Sequence, residues 1–176
     1  MLRFLANFRA NTKGLAAIEF AMMVPVMLVT YFGISEVANY VLAARKVASV
    51  ASTGADLVAQ DTNVTNDEMN DIMLALNVIL APFDVSKAQF RLTCVEADSN
   101  GNTTVAWSDA RNTSPRTPGS AISMPAGLVP NDQGIVMAEI SFTYQTLFGM
   151  YLTNGMTVDD TFYLKPRRSI TVLRSP

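Results

Sequence analysis

The sequence predicts an α+β protein: a long N-terminal helix packed on a small antiparallel sheet. Three observations carry that expectation. An apolar run from Leu15 to Ile34 is interrupted by one acid, Glu19. From Glu36 to Gln60 there is no proline, and apolar residues fall at helical spacing. Further on, Ala88, Phe90, Leu92 and Cys94 alternate with polar residues, and Gly134 to Tyr144 is the strongest strand, with Val136, Ala138, Ile140 and Phe142 or their alternates apolar.

The first element is a membrane span. Leu15–Ile34 has the roughly 20 residues that cross a hydrocarbon core of about 30 Å as a helix. Arg3, Arg9 and Lys13 precede it and no acid does, which places the N-terminus in the cytoplasm. The remainder of the chain is then delivered to the far side. A cleaved secretory signal is the rival reading, but its apolar core is normally about 7–15 residues long. Pro25, in the middle of the span, removes a backbone donor and crowds the carbonyl of Ala21, so a kink is expected there.

The second element continues the first. Val37, Tyr40, Val41, Ala44, Val47, Ala48, Ala51, Ala55 and Val58 share one face. A helix unbroken from Leu15 to Ala59 is roughly 65 Å long. The small residues Ala48, Ala51, Ser52, Gly54 and Ala55 allow close backbone approach, first of all to the protein's own sheet. The sequence thus divides into a leader over 1–14, a span over 15–35, a helical continuation over 36–60 and a globular α+β part over 61–176.

Within that last part, Asp61–Asn63 is a break. Thr65 and Glu68 then form a capping box. Met69, Ile72, Met73, Leu76 and Leu80 make a core-facing helical stripe ended by Pro82. Strand character follows at 88–94. Asn100-Gly101 signals a hairpin turn, and Val105 and Trp107 lie on the return strand. Asp109 to Asp132 reads as a long loop. After the strand 134–144 comes an apolar loop from Leu147 to Met156. Its Phe148, Met150, Tyr151 and Leu152 are expected to cover the sheet edge or, as the alternative, to form a subunit contact. Asp159-Asp160 is expected in a turn. Two short final strands, Thr161–Leu164 and Ile170–Leu173, complete a sheet of about four strands with helices on one face.

Composition narrows the function. The chain carries a formal charge of −2, and without Arg3, Arg9 and Lys13 it has 10 basic residues against 15 acidic ones, −5 before any new amine. An acidic exported part argues against nucleic-acid binding, which uses basic stripes. There is no histidine, so no Ser-His-Asp or Cys-His site can form. The single cysteine, Cys94, is expected to be a small core hydrophobe. No zinc spacing and no glycine-rich phosphate loop is present. No cofactor and no enzyme activity are expected.

The stretch Gly14-Leu15-Ala16-Ala17-Ile18-Glu19-Phe20 resembles the processing site of class III prepilins. The resemblance implies cleavage by prepilin peptidase directly after Gly14, with Leu15 the first mature residue and Glu19 the fifth, followed by an aromatic, Phe20. Within that class the chain resembles TadE/TadG-like pseudopilins of the tight-adherence (Tad) pilus system. The segments Ala43–Val47, Ala55–Gln60, Glu68–Ile72 and Asp160–Arg168 extend the likeness.

The resemblance implies a pilin-like architecture and a non-catalytic minor pilin or pseudopilin that supports assembly, priming or tip formation of a Tad-type pilus. It implies a single-pass protein of the bacterial inner membrane with a periplasmic C-terminal part. The partners implied are prepilin peptidase, other pseudopilins, the major pilin, the inner-membrane Tad platform and membrane lipid. The alternative is an uncleaved, signal-anchored periplasmic binding or envelope-scaffold protein; a released surface adhesin is a third reading.

The residues supply their own rationale for Glu19. Cleavage after Gly14 leaves an ammonium on Leu15, and residues i and i+4 share a helix face. Glu19 then lies one turn above that amine and can pair with it, or with the amine of a neighbouring subunit. In a low-dielectric setting such a pair is worth far more than in water. Alternatively, Glu19 only snorkels to the membrane interface.

Overall fold

The computed structural model describes residues 14–146 and 155–176. The leader cations Arg3, Arg9 and Lys13, and Phe148, Met150, Tyr151 and Leu152, lie outside them.

Helix α1, Leu15–Gln60, is one continuous helix of 46 residues, about 69 Å at 1.5 Å per residue. Pro25 sits inside it without ending it. Its 18-residue apolar window has a mean hydropathy of 1.9 and no buried residue. This is a helix long and apolar enough to cross a membrane. Burial begins at Glu36 and becomes periodic at Ala43, Val47, Val50, Ala51, Gly54, Ala55, Val58 and Ala59.

A two-residue strand β1, Asn63–Val64, follows. Helix α2, Asn66–Leu80, starts on the expected capping box. Glu68 N–H donates to the Thr65 hydroxyl at 3.3 Å, and Thr65 N–H donates back to the Glu68 carboxylate at 2.8 Å. The expected stripe Met69, Ile72, Met73, Leu76 and Leu80 is the buried face of α2. A short 3-10 turn, Val85–Lys87, leads into the sheet.

The main sheet contains β2 (Ala88–Ala97), β3 (Thr103–Arg111), β4 (Gly134–Tyr144) and β5 (Met156–Leu164) in the order β3-β2-β4-β5. All neighbours are antiparallel. Phe90 pairs with Ile140, Leu92 with Ala138 and Cys94 with Val136. This row meets α1 and α2 in one core. Gly54 is where the helices and sheet come closest: a Cβ there would lie 3.2 Å from Leu76 and 3.3 Å from Leu92. The small-residue run therefore serves the protein's own core.

The opposite face carries a smaller cluster of Val95, Ile135 and Met137, covered by Ile122, Met124, Leu128 and Val129 from the long loop. That loop also bonds along the start of β3, with Gly119 N–H on Val105 O at 2.7 Å and Ile122 N–H on Thr103 O at 3.0 Å.

Three expectations need correction. Asp109 belongs to β3, not to a loop, because β2 continues to pair as far as Arg111. Asp159 and Asp160 lie inside β5, which begins at Met156, not in a turn. The β-branched and aromatic residues around them, Thr157, Val158, Thr161, Phe162 and Tyr163, favour a strand, and the 11-residue β4 supplies its ladder.

The stretch Ile170–Leu173 adds no strand to the main sheet. Only Leu173–Arg174 forms a strand, β6, and it pairs in parallel with β1. After Pro166 the tail crosses the end of the sheet and spends its hydrogen bonds on several elements. Arg167 N–H donates to Ala59 O at 2.9 Å. Ile170 O accepts from Gly134 N–H at 2.9 Å, and Leu173 N–H donates to Thr62 O at 2.9 Å. Val172 O accepts from the Trp107 indole at 2.7 Å.

Candidate processing and assembly site

Gly14 is the N-cap of α1, with φ −93° and ψ −8°, and no side chain caps the helix. Among the described residues, no atom beyond its chain neighbours and the helix's own backbone lies within 4 Å of where its Cβ would be. The peptide bond after Gly14 is therefore at an open helix start. Leu15 is the first helical residue, and its side chain is exposed. Glu19 and Phe20 are exposed as well. Glu19 lies four residues above Leu15, about 6 Å along the axis.

An ammonium on Leu15 would sit at the positive end of the helix, where a cation is disfavoured. No acid stands in the first turn. Glu19, one turn up, is the nearest carboxylate along α1. The arrangement is chemically simple: a cleavable glycine at a helix end, a carboxylate one turn away, and an apolar helix around both. It holds no nucleophile–base pair, and among the described residues no group of three metal-ligating side chains occurs.

Residues 14–56 match the family model described as TadE-like protein. The match runs from the N-cap of α1 into its packed half, and includes Gly14, Leu15, Glu19 and Phe20. It is consistent with a TadE-like protein of a Tad pilus. The TadE-like segment is almost all helix, and the sheet lies beyond it. No curated protein and no solved structure matches the chain.

The structure also brings forward residues that the sequence reading passed over. Glu36 is a fully buried carboxylate at the base of the packed part of α1. It stands near Tyr144, which also touches Tyr40 ring to ring at 5.5 Å. Burial, then the Glu36 charge, push the Tyr144 phenol above its ordinary range. An acid directly after the end of an apolar run, on the same face as Tyr40 and Ala43, was the available signal.

Arg167 is tied to Asp56 of α1. Arg174 binds Asp109 at 2.7 Å and Asn66 at 2.7 Å. Both arginines fasten the tail to the domain. Cys94 is buried, as its strand position predicts; burial raises its thiol pKa, against a weaker opposing contact from Thr171.

Proposed function

We propose that this protein is a non-catalytic minor pilin or pseudopilin that supports assembly, priming or tip formation of a Tad-type pilus. Prepilin peptidase cuts between Gly14 and Leu15. The span over 15–35 holds the subunit in the inner membrane, with the leader cytoplasmic and the sheet domain periplasmic. Glu19 neutralises the new amine of its own chain or of a neighbour, and Phe20 lies beside that contact. Other pseudopilins, the major pilin and the inner-membrane platform are its partners.

The observation that carries this reading is the exposed Gly14 N-cap at the head of a helix whose 18-residue apolar window is unburied, inside the TadE-like match. A helix of this kind is covered either by lipid or by other subunits, because exposed apolar surface of this extent is unfavourable in water.

The experiment is mass spectrometry of the N-terminal peptide from host-cell membranes, with and without the prepilin peptidase. A chain that begins at Leu15 only when the peptidase is present is the expected result. A chain that begins at Met1 in both strains overturns it in favour of a permanent anchor. A start near residue 40 means an ordinary signal peptide.

A further inference from the structure

The sheet domain contains a pocket of about 430 Å³ beside Asn39, just beyond the apolar half of α1. Its walls include Asn39 of α1, Phe83 and Lys87 from the α2–β2 connection, and Phe142 and Tyr144 at the end of β4. Asp84 stands at the same wall as Lys87.

The height of this pocket follows from the helix. Asn39 lies four residues beyond Ser35, about 6 Å up the axis. The polar layer of a bilayer is about 5–8 Å thick on each side. With α1 in the membrane, the pocket opens at the level of the lipid headgroups.

Its chemistry suits that level. Phe83 meets Phe142 ring to ring at 5.5 Å and Tyr144 at 6.5 Å, and aromatic rings of this kind concentrate at membrane interfaces. Lys87 is exposed and offers three N–H donors. Asp84, three residues earlier, is exposed; its Oδ1 accepts from Ser86 N–H at 2.9 Å, and its Oδ2 is the oxygen on offer. The Tyr144 side chain is only 2% exposed, yet its hydroxyl has no hydrogen-bond partner among the described residues.

The geometry points to this pocket as a seat for the headgroup of a zwitterionic phospholipid, one that carries both a phosphate and a primary ammonium. The phosphate meets Lys87, the ammonium meets Asp84, and the glycerol region rests on Phe83. The effect is to hold the sheet domain down on the leaflet that α1 leaves. This inference rests on the membrane-anchored reading above.

The test uses the full chain in vesicles of phosphatidylethanolamine and phosphatidylglycerol. A photoreactive benzophenone residue replaces Gln145, on the pocket wall, or, as control, Asn100. Asn100 follows the far end of β2, beyond ten strand residues that start next to Lys87, about 33 Å away. The expected result is lipid adducts at 145 and none at 100, with phosphatidylethanolamine favoured. Lys87→Gln, a change at an exposed position, lowers that yield about two- to fivefold, the effect of losing one exposed ion pair.

Adducts that are absent at 145, or equal for both lipids and unchanged by Lys87→Gln, overturn the inference. An alkaline carbonate wash separates the two levels of failure. A retained chain without selective adducts defeats the pocket alone. A chain washed off the vesicles defeats the anchor reading and the pocket's occupant with it.

Discussion

The two halves of α1 are made of similar residues and meet opposite fates. In the first half, Met22 is 74% exposed and Val26 66%; in the second, Val47, Val50 and Val58 are fully buried. Both halves are helical and rich in apolar residues, though the second also carries Glu36, Arg45, Lys46 and Asp56. The difference lies in what stands beside them. Leu76 from α2 and Leu92 from the sheet close on Gly54, and nothing among the described residues closes on the stretch before Ser35. One half stabilises a fold. The other presents a surface, and the TadE-like match spans both.

Substitutions in the two halves should therefore act on different observables. The largest separation is expected from Glu19→Ala. If Glu19 pairs with an amine in the assembled state, losing one partner of a buried pair costs about 3–5 kcal/mol. Pilus number then falls while membrane insertion and the unfolding of the sheet domain stay unchanged. Normal piliation, counted by electron microscopy, would remove the assembly role from Glu19.

Next comes Leu76→Ala, which empties the centre of the core and should lower stability by about 2–5 kcal/mol. Leu28→Ala, in the exposed half, should leave denaturant unfolding of the detergent-solubilised protein within about 0.5 kcal/mol. Equal losses from the two changes would mean that the halves are not distinct.

Gly54→Val forces a side chain against Leu76 and Leu92, and overpacking of this kind costs about 1–3 kcal/mol. Ala38→Val, on an exposed stretch of the same helix, should cost nothing measurable in the same unfolding assay. Thr65→Ala removes the hydroxyl half of the α2 capping box, a loss of about 1 kcal/mol that chemical denaturation can resolve.

The smallest effect is on acid sensitivity. Two bonds from Thr65, first its backbone N–H and then its hydroxyl, hold the Glu68 carboxyl below its ordinary 4.5. The side chain of Asn102, then its backbone N–H, hold Asp98 below 3.8. A folded-state pKa below the unfolded one stabilises the protein above the unfolded value, and that stability is lost as pH falls through the folded value. Glu68→Gln should flatten the loss of stability below its ordinary 4.5, and Asp98→Asn the loss below its ordinary 3.8. Unaltered acid titrations, followed by circular dichroism, would show that these bonds carry no linkage.

Much of this was legible in the chain because the signals are local. The 3.6-residue spacing marked α1 and the buried face of α2. Thr65 and Glu68 marked the start of α2, and the two-residue alternation marked β2 and β4. Asp159 and Asp160 misled, since acids are poor strand formers, yet an edge strand beside the long β4 accepts them. The tail misled because its bonds reach Ala59, Thr62, Trp107 and Gly134, and no local pattern encodes partners so far apart. Glu36 was passed over because its burial depends on distant segments, Tyr144 of β4 among them, being brought near it.

Residue order alone set the helix of α1, its apolar length and the Gly14–Glu19 spacing, because turn geometry and transfer free energy act within a few residues. Only the tertiary structure decided which half of that helix is covered, that Arg167 and Arg174 fasten the tail, and that Asn39, Phe83, Lys87 and Tyr144 share one pocket. Those outcomes depend on segments far apart in sequence packing together, which no local periodicity can specify.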